Sequence, residues 1–283
     1  MVAIAACSWG TWRFVLLGAE HFAPGLDARV ESAVVMLVIT LFAFGCLAFE
    51  KRAPRASRAP RDWLGVAWLG VADALNVMLL FAAYAKTSVA IAVTSHYLAP
   101  IFVAASAPFV LREKPHPLTW LATSGGVVGL ALLLRPWSGE LGPSDALGAA
   151  AGAGSAVFYA SNVLVNRRLV FRFSPIELMA YHGVVATPLL VALSPLHAFA
   201  ALDARAILVL VVGGVGPGAL GGILFIRALE RVRAARAATL TLLEPLVAVG
   251  IAVLALGERI APAGWLGASM ILGCAALVSR RSA

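Results

Sequence analysis

Residues 97–120 read YLAPIFVAASAPFVLREKPHPLTW, residues 242–265 read LLEPLVAVGIAVLALGERIAPAGW, and the second stretch repeats the plan of the first. Pro100, Glu113, Pro117 and Trp120 stand 145 residues before Pro245, Glu258, Pro262 and Trp265, with no gap needed. The register continues upstream, where Ala83 aligns with Ala228, Ala92 with Ala237 and Thr94 with Thr239. A period this long marks a duplicated unit rather than a local motif.

The apolar runs on either side of these motifs are long, and the same pattern fills the rest of the chain. Of its 283 residues 61% are hydrophobic and 13% charged, about half the charge of a soluble domain. Runs of about 20 apolar residues recur, each sufficient to cross hydrocarbon as a helix. Ten spans are expected, at 2–22, 30–49, 63–85, 88–111, 118–135, 144–167, 175–196, 204–229, 233–256 and 262–279. Each repeat thus holds five helices. Because five is odd, the second copy enters the membrane upside down relative to the first, an arrangement recurrent in secondary transporters. The expected fold class is an all-α membrane protein, ten transmembrane helices arranged as two inverted five-helix repeats. The repeats divide as 1–138 and 139–283, within the Pro- and Gly-rich linker RPWSGELGPSD at 135–145.

The net charge of +8 follows loops rather than a patch, which argues against a nucleic-acid partner. With a cytoplasmic N-terminus, sixteen of the 22 Lys and Arg fall in inside connectors and five in outside ones, Arg13 being intramembrane. The positive-inside rule then places both termini in the cytoplasm of a multi-pass cell (inner) membrane protein. Cys7, Cys46 and Cys274 sit singly in predicted spans and read as apolar packers. The chain carries no HExxH, no phosphate-binding GxxxxGK and no GxSxG, and its five histidines lack metal-ligand spacing. Neither an enzyme nor a metal or other cofactor is expected.

The segments LEPLVAVGIAVLALGERIAPAGWLGASMILGCAALVSRR at 243–281, YLAPIFVAASAPFVLREKPHPLTWL at 97–121, AYAKTSVAIAV at 83–93, RALERVRAARA at 227–237 and CSWGTWRFVL at 7–16 together carry a resemblance. The chain resembles the drug/metabolite transporter superfamily, and within it the EamA family of ten-helix carriers. That resemblance implies export of small metabolites, often amino acids or related compounds, from a central cavity in the plasma membrane.

Charged or polar residues inside spans are costly, about 2.5 to 3.5 kcal/mol for a charge at a helix centre, so they mark candidate sites. Trp9 and Arg13, four apart on the first span with Trp12 at the edge of their face, suit a carboxylate with an apolar body. A permanent Arg13 pair with Asp73 or Glu244 is the plainer alternative. Asp73 and Asn76 share a face of the third span, and their counterparts under the repeat are Gly218 and Gly221. Those glycines either open space for a ligand or, as the Gly214, Gly218, Gly222 series, pack helices closely. Ser95, His96 and Tyr97 precede Pro100, where the backbone loosens. Tyr159, Ser161, Asn162 and Asn166 form a polar stripe on the sixth span that Tyr181 and His182 could meet, or they serve interhelical hydrogen bonds. Glu244 has Ala99 as its counterpart and so breaks the repeat. Pro100, Pro217 and Pro245 are expected kinks or hinges, and Glu113 and Glu258, at helix ends beside Lys114 and Arg259, are expected to serve as surface caps or hinge salt bridges.

The resulting expectation is an alternating-access exporter of amphoteric metabolites such as amino acids. Arg13 would hold the carboxylate, and Asp73 or Glu244 the amine. Trp9, Trp12 and Tyr97 would contact the side chain, with Asn76, Ser95, His96, Tyr159 and Asn162 lining the same region. Its partners are the lipid bilayer, a small-molecule substrate and protons as the coupling ion through Glu244 or Asp73. The rivals are an exporter of lipophilic or cationic drugs and a sugar-phosphate or nucleotide-sugar carrier.

Overall fold

The computed structural model describes residues 1–50, 55–139, 141–257 and 259–279, without the side chains of Arg13, Ala255 and Leu256. The described residues form ten helices long and apolar enough to cross a membrane. They are α1 (Val2–Phe22), α2 (Ala28–Leu47), α3 (Pro60–Tyr84), α4 (Val89–Val110), α5 (Pro117–Leu134), α6 (Pro143–Leu169), α7 (Pro175–Leu193), α8 (Ala204–Ala228), α9 (Ala234–Leu254) and α10 (Pro262–Ser279). No strand occurs among these residues. α5 and α10 lie 145 residues apart at both ends, so the duplicated sequence is matched by duplicated helix boundaries.

Those boundaries follow from local chemistry. α7 begins with Pro at its first position and a capping box: the Glu177 amide donates to Ser174 Oγ and the Ser174 amide to Glu177 Oε2. Asp27, Ser88 and Asp203 accept first-turn amide protons in the same way for α2, α4 and α8. His116 Nδ1 accepts from the Leu118 amide at 3.1 Å and caps α5.

Four helices are interrupted. α4 divides into Val89–His96 and Ala99–Val110, and α9 into Ala234–Leu240 and a second half starting at Leu243. The proline explains both, although the break lies before it. Lacking an N–H, Pro100 cannot bond the His96 carbonyl, nor Pro245 that of Thr241, and the preceding turn tightens into i→i−3 bonds. Leu98 N donates to Ser95 O at 3.2 Å, and Leu242 N to Thr239 O at 3.3 Å. Around Pro217, α8 instead widens into a π-helical stretch, Gly214–Leu220, a common way to accommodate a missing donor. α1 breaks at Gly10 and Thr11, where Thr11 Oγ1 turns back to the Ser8 carbonyl at 2.7 Å.

The helices gather into two compact units, and neither coincides with one sequence half. The first is built from residues 3–74 and 165–231, the second from 75–164 and 232–283. In the first, α2 packs along α7 and α1 along α8. Thr40 and Thr187 share a hydrogen bond of 3.2 Å there, and Ile39, Leu69, Phe173, Leu178 and Met179 fill the core. In the second, α5 packs along α10, Thr123 bonds Thr239 at 2.6 Å, and Tyr97, Leu130, Leu242 and Ile271 form the core.

Close approach depends on glycine. A Cβ on Gly214 would lie 2.7 Å from Val38 Cγ1, one on Gly218 would lie 2.8 Å from Ile39 Cδ1, and one on Gly222 would overlap Met179. The series on α8 is therefore a packing face against α2 and α7, and its space is already filled by neighbouring side chains.

At the end of the first unit that carries the connector after α2, arginines tie adjacent segments together. Arg55 bonds Glu230 at 3.1 Å, Arg58 bonds Glu177 at 2.6 Å, and Arg172 bonds Asp62 at 2.6 Å. The Asp62 side chain is only 3% exposed, against 13% for Glu177. Removing the partner of a covered carboxylate leaves it uncompensated, while an exposed pair contributes little. Arg172→Ala is therefore expected to cost about 2 kcal/mol at this helix end. Thermal unfolding in detergent should show a drop for Arg172→Ala clearly larger than that for Arg58→Ala.

Candidate functional site

In the second unit, the break in α4 presents Ser95, His96 and Tyr97 beside α6. Gly152 makes this approach feasible, since a Cβ there would lie 2.9 Å from the Ala92 carbonyl and from Ser95 Cβ. One turn on, Ser155 Oγ donates to Asn76 Oδ1 at 2.9 Å and stands 2.7 Å from His96 Nδ1. With the only hydroxyl proton given to Asn76, His96 Nδ1 must donate to Ser155. Nε2 then carries the free lone pair. The imidazole meets the rings of Tyr97 and Tyr159 edge-on, each at a centroid distance of 5.4 Å.

Tyr97 in turn lies close to the Glu244 carboxyl, and Tyr84, at the end of α3, lies within electrostatic reach of that carboxyl. Glu244 occupies the first turn of the second half of α9. The break at Thr241 and Leu242 creates a helix N-terminus inside the membrane span. A carboxylate in its first turn gains about 1 kcal/mol from the aligned peptide dipoles. Two symmetric breaks exist, but only this one carries an acid.

The first unit holds a separate polar pair. Asp73, in the middle of α3, faces His182 on α7, with Oδ2 to Nε2 at 3.6 Å. His182 Nδ1 lies 2.7 Å from the Leu178 carbonyl. His182 therefore pairs with Asp73, rather than serving the polar stripe on α6. Tyr181 packs among Phe44, Trp63 and Phe173 within the same unit. Trp9 lies over Gly221 and stacks on Phe225 at 5.2 Å, and Trp12 reaches the Gly213 position on α8. The backbone of Arg13 is in α1, but its side chain lies outside the described residues, as does Glu258. Glu113 accepts from the Ala234 amide at 3.0 Å and thereby caps α9.

The structure thus joins Asn76, His96, Tyr97, Tyr159 and Glu244 into one cluster, with Ser95 against Gly152 beside it and Asn162 one turn beyond Tyr159. Two members were not singled out in the sequence. Ser155 lies in the small-residue run GAGSA, where a serine is indistinguishable from a packing residue. Only its i+4 spacing to Tyr159 and its place after Gly148 and Gly152 on one face mark it. Tyr84 has no local signal at all.

A family model described as the EamA-like transporter family matches residues 1–135 and again residues 146–280. An uncharacterized transporter of Clostridium kluyveri is 24% identical over 200 residues, 68% of this chain and 63% of that protein, so the match spans less than two thirds of that relative. An uncharacterized transporter of Archaeoglobus fulgidus is 29% identical over 266 residues, 88% of this chain and 93% of that one. A solved crystal structure superposes with a TM-score of 0.80 over 98% of this chain and 96% of the other at 18% identity, and so shares the fold. With one family model matching twice and covering nearly every residue, the chain belongs to the EamA-like transporter family, a family of membrane transporters and not of enzymes.

Proposed function

We propose that this protein is a secondary transporter exporting small amphoteric metabolites, amino acids or close relatives, across the cell membrane by alternating access, with both termini cytoplasmic. The observation that carries the reading is the cluster at the break in α4. Glu244 and the free Nε2 of His96 are acceptors, and Tyr97 and Tyr159 supply aromatic walls. An ammonium group finds there both charge and ring faces. The repeat supports alternating access, since two sequence repeats with an odd number of spans each can exchange conformations. The division into repeats 1–138 and 139–283 belongs to this reading. Arg13 is assigned the substrate carboxylate.

A counterflow screen of amino acids, sugars and organic cations in proteoliposomes tests the proposal. The expected result is exchange of at least one amino acid, reduced about tenfold or more in Arg13→Ala, equivalent to about 1.4 kcal/mol of lost binding or barrier stabilisation. Unchanged exchange of every carried amino acid in that variant removes Arg13 from the site. A second reading, export of lipophilic cations, is favoured by the acceptor character of the cluster itself. It predicts cation exchange that depends on Glu244 and ignores Arg13.

A further inference from the structure

The end of the first unit that carries the connector after α2 encloses a cavity of about 410 Å³, whose wall includes Glu50, Arg55, Arg58, Glu177 and Tyr181. A space of this size suits a small organic molecule, and the wall is unevenly satisfied.

Its two arginines are committed. Arg55 donates to the Val170 carbonyl at 2.6 Å and to Glu230 at 3.1 Å. Arg58 donates to the Arg172 carbonyl at 3.1 Å and to Glu177 at 2.6 Å, and its guanidinium lies 4.4 Å from the centre of the Phe173 ring. Each guanidinium thus has its own carboxylate, with a backbone carbonyl holding it in place. Glu50 is left differently. Its Oε2 accepts from Ser174 Oγ at 2.7 Å, and no basic side chain pairs with it among the described residues. Ser174 is itself fixed as the cap of α7, so a neutral group holds the Glu50 carboxylate at the cavity wall. Once the two ion pairs cancel, one negative charge remains there, and Oε1 keeps its lone pairs free.

Tyr181 completes the wall. Its ring rests against Phe44, Trp63 and Phe173, and its hydroxyl has no hydrogen-bond partner among the described residues. An ammonium group supplies what this wall lacks. It brings a positive charge and N–H donors to Glu50, a donor to the Tyr181 oxygen and a cation to an aromatic ring. An anion would instead meet the Glu50 charge, and the arginines that could offset it already hold carboxylates.

We propose that this cavity binds the ammonium group of a small organic amine, with Glu50 as its counter-ion and Tyr181 as its aromatic and hydroxyl contact. The site belongs to the first unit, whereas the Glu244 cluster belongs to the second. It goes beyond the transport reading and does not rest on it, because binding here requires only the geometry of α2, α7 and the connector after α2.

The test uses the full-length protein in lipid nanodiscs, with its tyrosines fluorinated and the Tyr181 resonance identified by its loss in Tyr181→Phe. Butylammonium chloride is the probe, with butanol as the neutral control and sodium butyrate as the anionic one. The Tyr181 fluorine signal is expected to move saturably with butylammonium and to ignore both controls at the same concentrations. In Glu50→Gln the concentration at half-saturation should rise about tenfold or more. Ala56 also lines the cavity and is exposed. Ala56→Trp should therefore fill the space without altering its charges and abolish the shift, which keeps the test decisive if Glu50→Gln folds poorly. The titration should be unchanged in Glu244→Gln. A Tyr181 signal that ignores butylammonium, moves equally with butanol, or keeps its wild-type half-saturation in Glu50→Gln or Ala56→Trp overturns the site. Loss of the shift in Glu244→Gln does so as well, by assigning the binding to the other cluster. Failure to carry any amino acid would count against the transport reading alone, since the Tyr181 signal reports binding without transport.

Discussion

Glu244→Gln is expected to lower transport by at least about tenfold, more than 1.4 kcal/mol of barrier, while leaving the fold intact. Glutamine has the same shape and keeps an oxygen beside Tyr97, so the packing of the break between the two halves of α9 should survive. It cannot carry a charge, and the first turn of that half-helix would lose the anion its dipole favours. The ammonium-binding role assigned to Glu244 would be lost with it. Initial rates in proteoliposomes, compared with the gel-filtration profile and thermal midpoint of the same preparation, provide the check. Wild-type rates in the variant would assign Glu244 a purely structural role.

Gly267→Leu should act on the fold instead. A Cβ at this position would overlap the Gly129 carbonyl oxygen and lie 2.7 Å from the Leu133 amide nitrogen. Both are backbone atoms, which cannot rotate away as a side-chain tip could. The reciprocal contact is equally tight, with a Cβ on Gly129 lying 2.9 Å from the Gly267 carbonyl. α5 and α10 would have to separate, carrying Leu130, Leu133 and Ile271 out of register. Overpacking of this kind costs about 3 kcal/mol, and most of the protein should be lost from the folded, detergent-soluble fraction. Gly273→Leu, on the same helix but with open space around its Cβ, should be tolerated. Equal folded yields for the two variants would show that the α5–α10 contact contributes little.

Much of this architecture was legible because it is written locally. The α7 cap is visible in SPIE at 174–177, and the ends of α5 and α10 are visible in Pro117 and Pro262. The prolines at 100 and 245 likewise announced a weakness in α4 and α9. The break lies a few residues earlier than the ring, because the withdrawn hydrogen bond belongs to the carbonyl four residues before it. The site was only half legible. Glu244, His96 and Tyr97 stood out as polar groups in apolar runs. That Ser155 links His96 to Asn76 could not be read, since a serine among alanines and glycines looks the same whether it packs or bonds.

The sequence by itself therefore determined the number of spans, their boundaries, their duplication and the places where three of them are weakened. Caps, prolines and apolar length act within a few residues of where they occur. The tertiary structure alone decided which helices share a unit, cutting across the two sequence halves. It also filled the α8 glycine face with Val38, Ile39 and Met179, and set His182 against Asp73. Those choices depend on the fit of surfaces far apart in the chain. A glycine or a histidine in an apolar helix is compatible with several partners until the packing selects one.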